Sequence, residues 1–138
     1  MIDGKATGRQ DSRPAIIRRY CEDSLRRLRL DSLPMFYQHR YDRNTPIEEV
    51  ASTIADLMKE GKVQHWGVCE LSAESIRKAH AVCPLTAVQS EYHLMHRLVE
   101  ENGVLDTCRE LGYWFLSLTV RLTEVFSVGD LNEYTQFD

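Results

Sequence analysis

No stretch of the 138-residue chain is long and apolar enough to cross a bilayer: the longest uncharged runs, Ala79 to Ser90 and Tyr113 to Val120, are interrupted by polar side chains and fall short of the roughly 18 apolar residues a span requires. No apolar stretch stands behind a basic start in Met1-Ile2-Asp3-Gly4-Lys5, so no secretory signal is legible. An excess of positive charge is also missing. Lys plus Arg number 17 against 21 Asp plus Glu, a net charge of −4, which excludes a general binder of nucleic acid or anionic membranes. The four cysteines, Cys21, Cys69, Cys83 and Cys108, form no C-x-x-C pair, unlike a disulfide scaffold or a zinc finger. Free thiols in a reducing, cytoplasmic setting are expected. His80 with Cys83, and His93 with His96, have a three-residue spacing that suits two ligands on one helical face, but no third and fourth ligand stands nearby, so no metal is expected. Gly4 to Gly8 lacks the spacing of a phosphate loop and follows no apolar strand.

What is present is the composition of an ordinary globular protein, 43% hydrophobic and 28% charged, sized for one modest domain or a piece of a larger one. Residues 1–13 are polar and read as a loop or linker. Pro14 suits the first turn of a helix, where its missing N–H would have no partner anyway. Behind it Ile17, Tyr20, Cys21, Ser24, Leu25 and Leu28 recur at three- and four-residue steps, which predicts one buried stripe. Arg18, Arg19, Arg26, Arg27 and Arg29 lie mainly off that stripe among Glu22 and Asp23 and read as a solvated face. A strand is expected over Leu33 to Tyr37, then a helix Ile47 to Glu60 opened by Pro46 and closed by Gly61. Strand Val63 to Val68, helix Ser72 to Val82, strand Leu85 to Gln89, helix Leu98 to Leu111 and strand Tyr113 to Leu118 follow. Such alternation predicts an α/β fold of consecutive βα units with a parallel sheet. Two architectures satisfy it, a small doubly wound sheet or part of a (β/α)₈ barrel.

Polar groups stand directly behind the apolar strands at Gln38-His39, Cys69-Glu70 and Gln89-Ser90-Glu91. Barrels assemble their sites at this end of several strands. His39 is the leading candidate, because an imidazole there can donate a hydrogen bond or move a proton near neutral pH; a loop histidine is its plain alternative. Gln89 offers an amide to a ligand or ties down backbone. Cys69 has no neighbouring His or Arg to activate it and reads as a small buried residue. Glu70 is a site carboxylate or a helix cap. Tyr20, Trp66, Tyr92, Trp114 and Phe115 are expected to fill packing space.

Taken in order, Arg13-Pro14, Cys21 to Leu28 (CEDSLRRL), Tyr37 to Asp42 (YQHRYD), Thr45 to Glu49 (TPIEE), Leu57 to Val63 (LMKEGKV), Ile76 to His80 (IRKAH), Ala87 to Tyr92 (AVQSEY) and Cys108 to Gly112 (CRELG) closely resemble the aldo-keto reductase family, nearest to its YakC-like, pyridoxal-reductase-like and plant auxin-induced branch. The resemblance implies a TIM-barrel fold, here as a partial (β/α)₈ barrel of about four parallel strands, and NADP(H) bound without a Rossmann domain. His39 then corresponds to the histidine that contacts the substrate carbonyl. Cys69 and Glu70 fall beside the nicotinamide carboxamide, and Gln89 on the glutamine that also holds it.

Departures from the family pattern set limits on what the resemblance implies. The family's Asp, its proton-donating Tyr and the Lys that tunes it precede the matched segments and have no counterpart here. Leu118-Thr119-Val120-Arg121-Leu122 stands where the family has Tyr-Ser-Pro-Leu-Gly, and nothing corresponds to the element gripping the adenosine 2′-phosphate. Pro34 replaces a usual Asp and Cys69 a usual Ser. The domain is expected over residues 14–118, with 119–138 a divergent segment. The expected function is that of a truncated aldo-keto reductase-like oxidoreductase, whose parent reaction is NADPH-dependent reduction of a small aldehyde or ketone. The isolated chain is expected to be inactive and to bind NADPH weakly; the alternatives are a non-catalytic interaction module that self-associates through open sheet edges, or an incomplete gene model.

Overall fold

The computed structural model describes residues 10–118; the expectations for 1–9 and 119–138 lie outside the described residues. Helix α1 (Pro14–Leu28), strand β1 (Phe36–Gln38), α2 (Ile47–Lys59), β2 (Trp66–Cys69), α3 (Ala73–Val82), β3 (Ala87–Glu91), a 3₁₀ turn (Leu98–Glu100), α4 (Val104–Leu111) and β4 (Trp114–Leu118) follow one another. The strands form one sheet in the order β1-β2-β3-β4, and every neighbouring pair is parallel. This is the α/β alternation expected of part of a (β/α)₈ barrel.

Strand parity divides the sheet into two faces. Trp66, Val68 and Val88 are wholly buried and pack with Ile17, Cys21 and Leu25 of α1, Val50, Ile54 and Leu57 of α2, Ile76 and Ala79 of α3, and Val104 and Cys108 of α4. Trp66 also donates its indole N–H to the carbonyls of Cys83 and Pro84, at 3.2 and 3.0 Å, so the one polar atom of this core side chain is satisfied. The opposite face carries Tyr37, Gly67, Ala87 and Trp114 in one row, and Cys69, Gln89 and Leu116 in the next. No described helix covers it.

Several boundaries differ from expectation. Leu33 makes only an isolated bridge to Val63, and the ladder starts at Phe36 because Pro34 has no N–H to contribute. The expected helix Leu98–Leu111 is broken: Gly103 takes a left-handed φ of 80° and Asn102 Oδ1 accepts the N–H of Val104 at 3.1 Å, which restarts the helix. Val68 and Val88 lie under the helices, on the face opposite Cys69 and Gln89. Trp114 and Tyr20, expected to fill packing space, are 76% and 41% exposed.

Asp42 fastens the chain behind β1. Buried at the turn before α2, it accepts from Ser12 N–H at 2.8 Å, Asn44 N–H at 2.9 Å and the Thr45 hydroxyl at 3.0 Å. These donors favour its charged form, and the backbone N–H groups of Ser12 and Asn44 hold its carboxyl below the usual 3.8.

Candidate functional site

Strands β1 and β2 deliver His39 and Cys69 at their carboxyl ends, and β3 carries Gln89 at its middle, level with Cys69. His39 follows Gln38, whose register partner is Val68; Cys69 follows Val68 and pairs with Gln89. Three successive parallel strands thus bring His39, Cys69 and Gln89 to one edge of the face that the helices leave open. His39 is exposed and forms no hydrogen bond among the described residues, so its ring is available to a ligand.

Gln89 is held from two sides. Its backbone carbonyl accepts the N–H of Glu70 at 2.9 Å, and its side-chain Oε1 accepts the thiol of Cys69, Sγ to Oε1 3.3 Å. Burial pushes the Cys69 thiol up, nearby Glu70 adds to the rise, and Arg40 opposes it, so the sulfur stays protonated and able to donate. An uncharged buried thiol is a poor nucleophile, which agrees with the reading of Cys69 as a small packed side chain. Gln89 Nε2 has no protein acceptor among the described residues.

Glu70 is neither packed away nor a helix cap. Ser72 caps α3 by accepting the Ser75 N–H at 3.3 Å, while Glu70 takes a left-handed φ of 53°, which is uncommon for a residue with a side chain. That turn lets Oε1 accept the Glu91 N–H at 2.7 Å and ties the end of β2 to the end of β3. The other carboxylate oxygen has no donor among the described residues. Gln89 Nε2 thus leaves a donor, and the second Glu70 oxygen an acceptor, open to a ligand among the described residues.

Two residues of the open face went unnoticed in the sequence. The Tyr37 ring lies across Gly67: a Cβ on Gly67 would come 2.4 Å from Tyr37 Cε1 and 2.8 Å from the carbonyl oxygen of Ala87. Glycine is required here by close approach, and its absence of a side chain gives the tyrosine a bed beside Cys69. Burial, then the neighbouring Cys69, raises the Tyr37 phenol. Parity was the available signal, because Tyr37 stands two residues before His39 and so shares its strand face.

Among the described residues no group of three or more His, Cys, Asp or Glu is placed to hold an ion. His80 Nδ1 accepts the N–H of Leu85 at 3.2 Å. His93 accepts the N–H of Met95 at 3.2 Å, and its other ring nitrogen lies 2.8 Å from Glu91 Oε1; both rings serve the local turns. No described helix is long and apolar enough to cross a membrane.

A family model described as the aldo/keto reductase family matches residues 1–120. The chain is similar to the glycerol dehydrogenase of Gluconobacter oxydans, with 33% identity over 94% of this chain and 39% of that one and a TM-score of 0.78. It is similar also to an aldo/keto reductase of Klebsiella pneumoniae solved with NADP and acetate, with 32% identity over 77% of this chain and 38% of that one and a TM-score of 0.66. A thermostable aldo-keto reductase solved with the inhibitor epalrestat shares the fold, at 23% identity over 82% of this chain and 44% of that one and a TM-score of 0.72. The chain spans about two fifths of the length of these proteins.

Proposed function

Because the chain belongs to the aldo-keto reductase family, we propose that its domain, residues 14–118, supplies the carbonyl-orienting and carboxamide-holding edge of an NADP(H)-dependent oxidoreductase that reduces small aldehydes or ketones to alcohols. The observation that carries this reading is the convergence of His39, Cys69, Glu70 and Gln89 at one edge of three successive parallel strands, with Gln89 held by Cys69 on one side and tied to Glu70 on the other. His39 donates a ring N–H to the substrate oxygen and fixes its direction. Gln89 Nε2 donates to the carboxamide oxygen of the cofactor, and the free oxygen of Glu70 accepts from its amine. When bound, NADPH supplies the hydride. The exposed position of His39 leaves it in reach of a small carbonyl compound. Four buried thiols, none paired in a disulfide, suit a reducing, cytoplasmic compartment.

The test is a titration of ¹⁵N-labelled 138-residue chain with NADPH, followed by amide shifts. Perturbations concentrated at His39, Cys69, Glu70 and Gln89, with an affinity weaker than low micromolar, are expected. Shifts absent from these residues up to millimolar NADPH would remove the cofactor assignment.

A second reading, a non-catalytic interaction module, draws support from the 76% exposure of Trp114 on the open face. Broadening of Trp114 and β4 signals with rising protein concentration, together with unmoved His39 and Gln89 signals in NADPH, would favour it.

A further inference from the structure

Cys69 and Gln89 meet through a contact whose direction has a consequence for what the site selects. An amide side chain is nearly symmetric in shape, so a glutamine with no fixed partner can present either its oxygen or its nitrogen to a ligand. Here the Cys69 thiol, 3.3 Å from Oε1, is a donor with a hydrogen to give. Cys69 is buried and cannot turn toward water instead. Leu116, the register partner of Gln89 on β4, carries no polar atom on its side chain and cannot compete for either end of the amide. The backbone of Gln89 is pinned as well, by Glu70 N–H at 2.9 Å, so only the side-chain torsions remain free.

We propose that Cys69 is a positioning residue and a determinant of specificity: its S–H engages Gln89 Oε1, turns Nε2 outward, and makes this point of the site select a carbonyl acceptor. The proposal rests on the dinucleotide reading for the identity of the ligand, but not for the orientation of the amide. Loss of the thiol leaves Gln89 free to flip. A ligand with both a carbonyl and an amine keeps its amine on the free Glu70 oxygen when Gln89 turns, whereas a ligand with the carbonyl alone loses its only partner whenever the oxygen faces out. Cys69 therefore matters more for a ketone at this position than for a carboxamide.

The experiment has two arms. In the first, the Gln89 side-chain NH₂ signals of the 138-residue chain, assigned by their disappearance in Gln89→Leu, are compared without any ligand in wild type, Cys69→Ser, Cys69→Val and Cys69→Ala. Well-separated, slowly exchanging NH₂ protons are expected in wild type and Cys69→Ser, and averaging toward free glutamine in Cys69→Ala and Cys69→Val. The two donor-free variants of different volume separate loss of the hydrogen bond from loss of packing, and either suffices if the other fails to fold. In the second arm, NADPH and its 3-acetylpyridine analogue are titrated against the same proteins. Cys69→Ala or Cys69→Val should weaken the analogue about fivefold more than NADPH, the scale of one hydrogen bond, while Cys69→Ser changes neither ratio. Unchanged Gln89 signals in both donor-free variants would overturn the proposal, as would equal losses for the two dinucleotides. Failure of both dinucleotides to bind wild type would remove the cofactor reading, with the orientation still decided by the ligand-free spectra.

Discussion

Gly67 and Asp42 show how single positions set the geometry on which the site depends. Gly67→Ala should cost about 1–3 kcal/mol, the usual range for overpacking, because the added carbon meets the Tyr37 ring at 2.4 Å and the Ala87 carbonyl oxygen at 2.8 Å. In a Tyr37→Ala background the cost should shrink without vanishing, since the backbone carbonyl stays in place; thermal melts of the four proteins in the cycle measure the coupling. Equal costs in both backgrounds would show that the ring does not depend on the glycine. Asp42 makes a prediction in pH. Its folded-state pKa lies below its unfolded value, so the stability it contributes is fully present above the unfolded value near 3.8 and is lost as pH falls through the folded one. Asp42→Asn should therefore lower stability at neutral pH by about 1.5–3 kcal/mol, the range for hydrogen bonds to a charged group. The gap between the two proteins should narrow below pH 3.8; a gap independent of pH would place the loss in packing rather than in charge.

At the scale of elements, what the sequence made legible was what periodicity and capping control. Helices α1, α2 and α3 announce themselves by apolar spacing and by Pro14, Gly61 and Ser72, and their observed ends lie within a residue of expectation. Before β4, Val99 and Val104 both point into the core, so one apolar stripe runs across a break that only Asn102-Gly103 marks. Apolar content at Leu33 signals burial but not pairing, and β1 begins only at Phe36. Of the candidate site, His39, Cys69, Glu70 and Gln89 were readable as polar residues behind apolar strands. The hydrogen bond between Cys69 and Gln89 and the bed under Tyr37 were not, because they depend on register between strands rather than on order along one. Trp66 joins these levels: β2 presents it to the helices while its N–H holds the turn of Cys83 and Pro84. Trp66→Phe keeps most of the apolar bulk and leaves that turn without its donor. It should cost about 1–3 kcal/mol, the penalty of an unsatisfied buried partner, and chemical denaturation with an unchanged m-value checks it.

On the proposed function of the whole chain, His39 orients a carbonyl and Gln89 with Glu70 holds a carboxamide, while the proton-donating tyrosine that the family resemblance implies has no counterpart in the matched segments. Loss of general-acid transfer alone lowers rates by roughly 10²–10⁴, so purified chain should show no NADPH-dependent turnover of a reactive aldehyde above a His39→Ala control; turnover above that control would mean that another group donates the proton. The same face governs physical state. Trp114 is 76% and Leu116 42% exposed on it, and Leu94 and Met95 stand out at 83% and 67% on the turn beyond β3. Each large apolar side chain left in water forgoes about 1.5–3 kcal/mol, a sizeable part of the roughly 5–15 kcal/mol that holds a domain together. The sheet order also leaves β1 and β4 as edges among the described residues, and an unpaired edge is a template for another chain. The purified chain should therefore self-associate as its concentration rises, and Trp114→Ser with Leu116→Ser should weaken that association without lowering the melting temperature of the dilute protein. Size-exclusion chromatography with light scattering, alongside binding of a hydrophobic dye, decides the matter. A monodisperse monomer that binds no dye would mean that the open face is already covered within the chain.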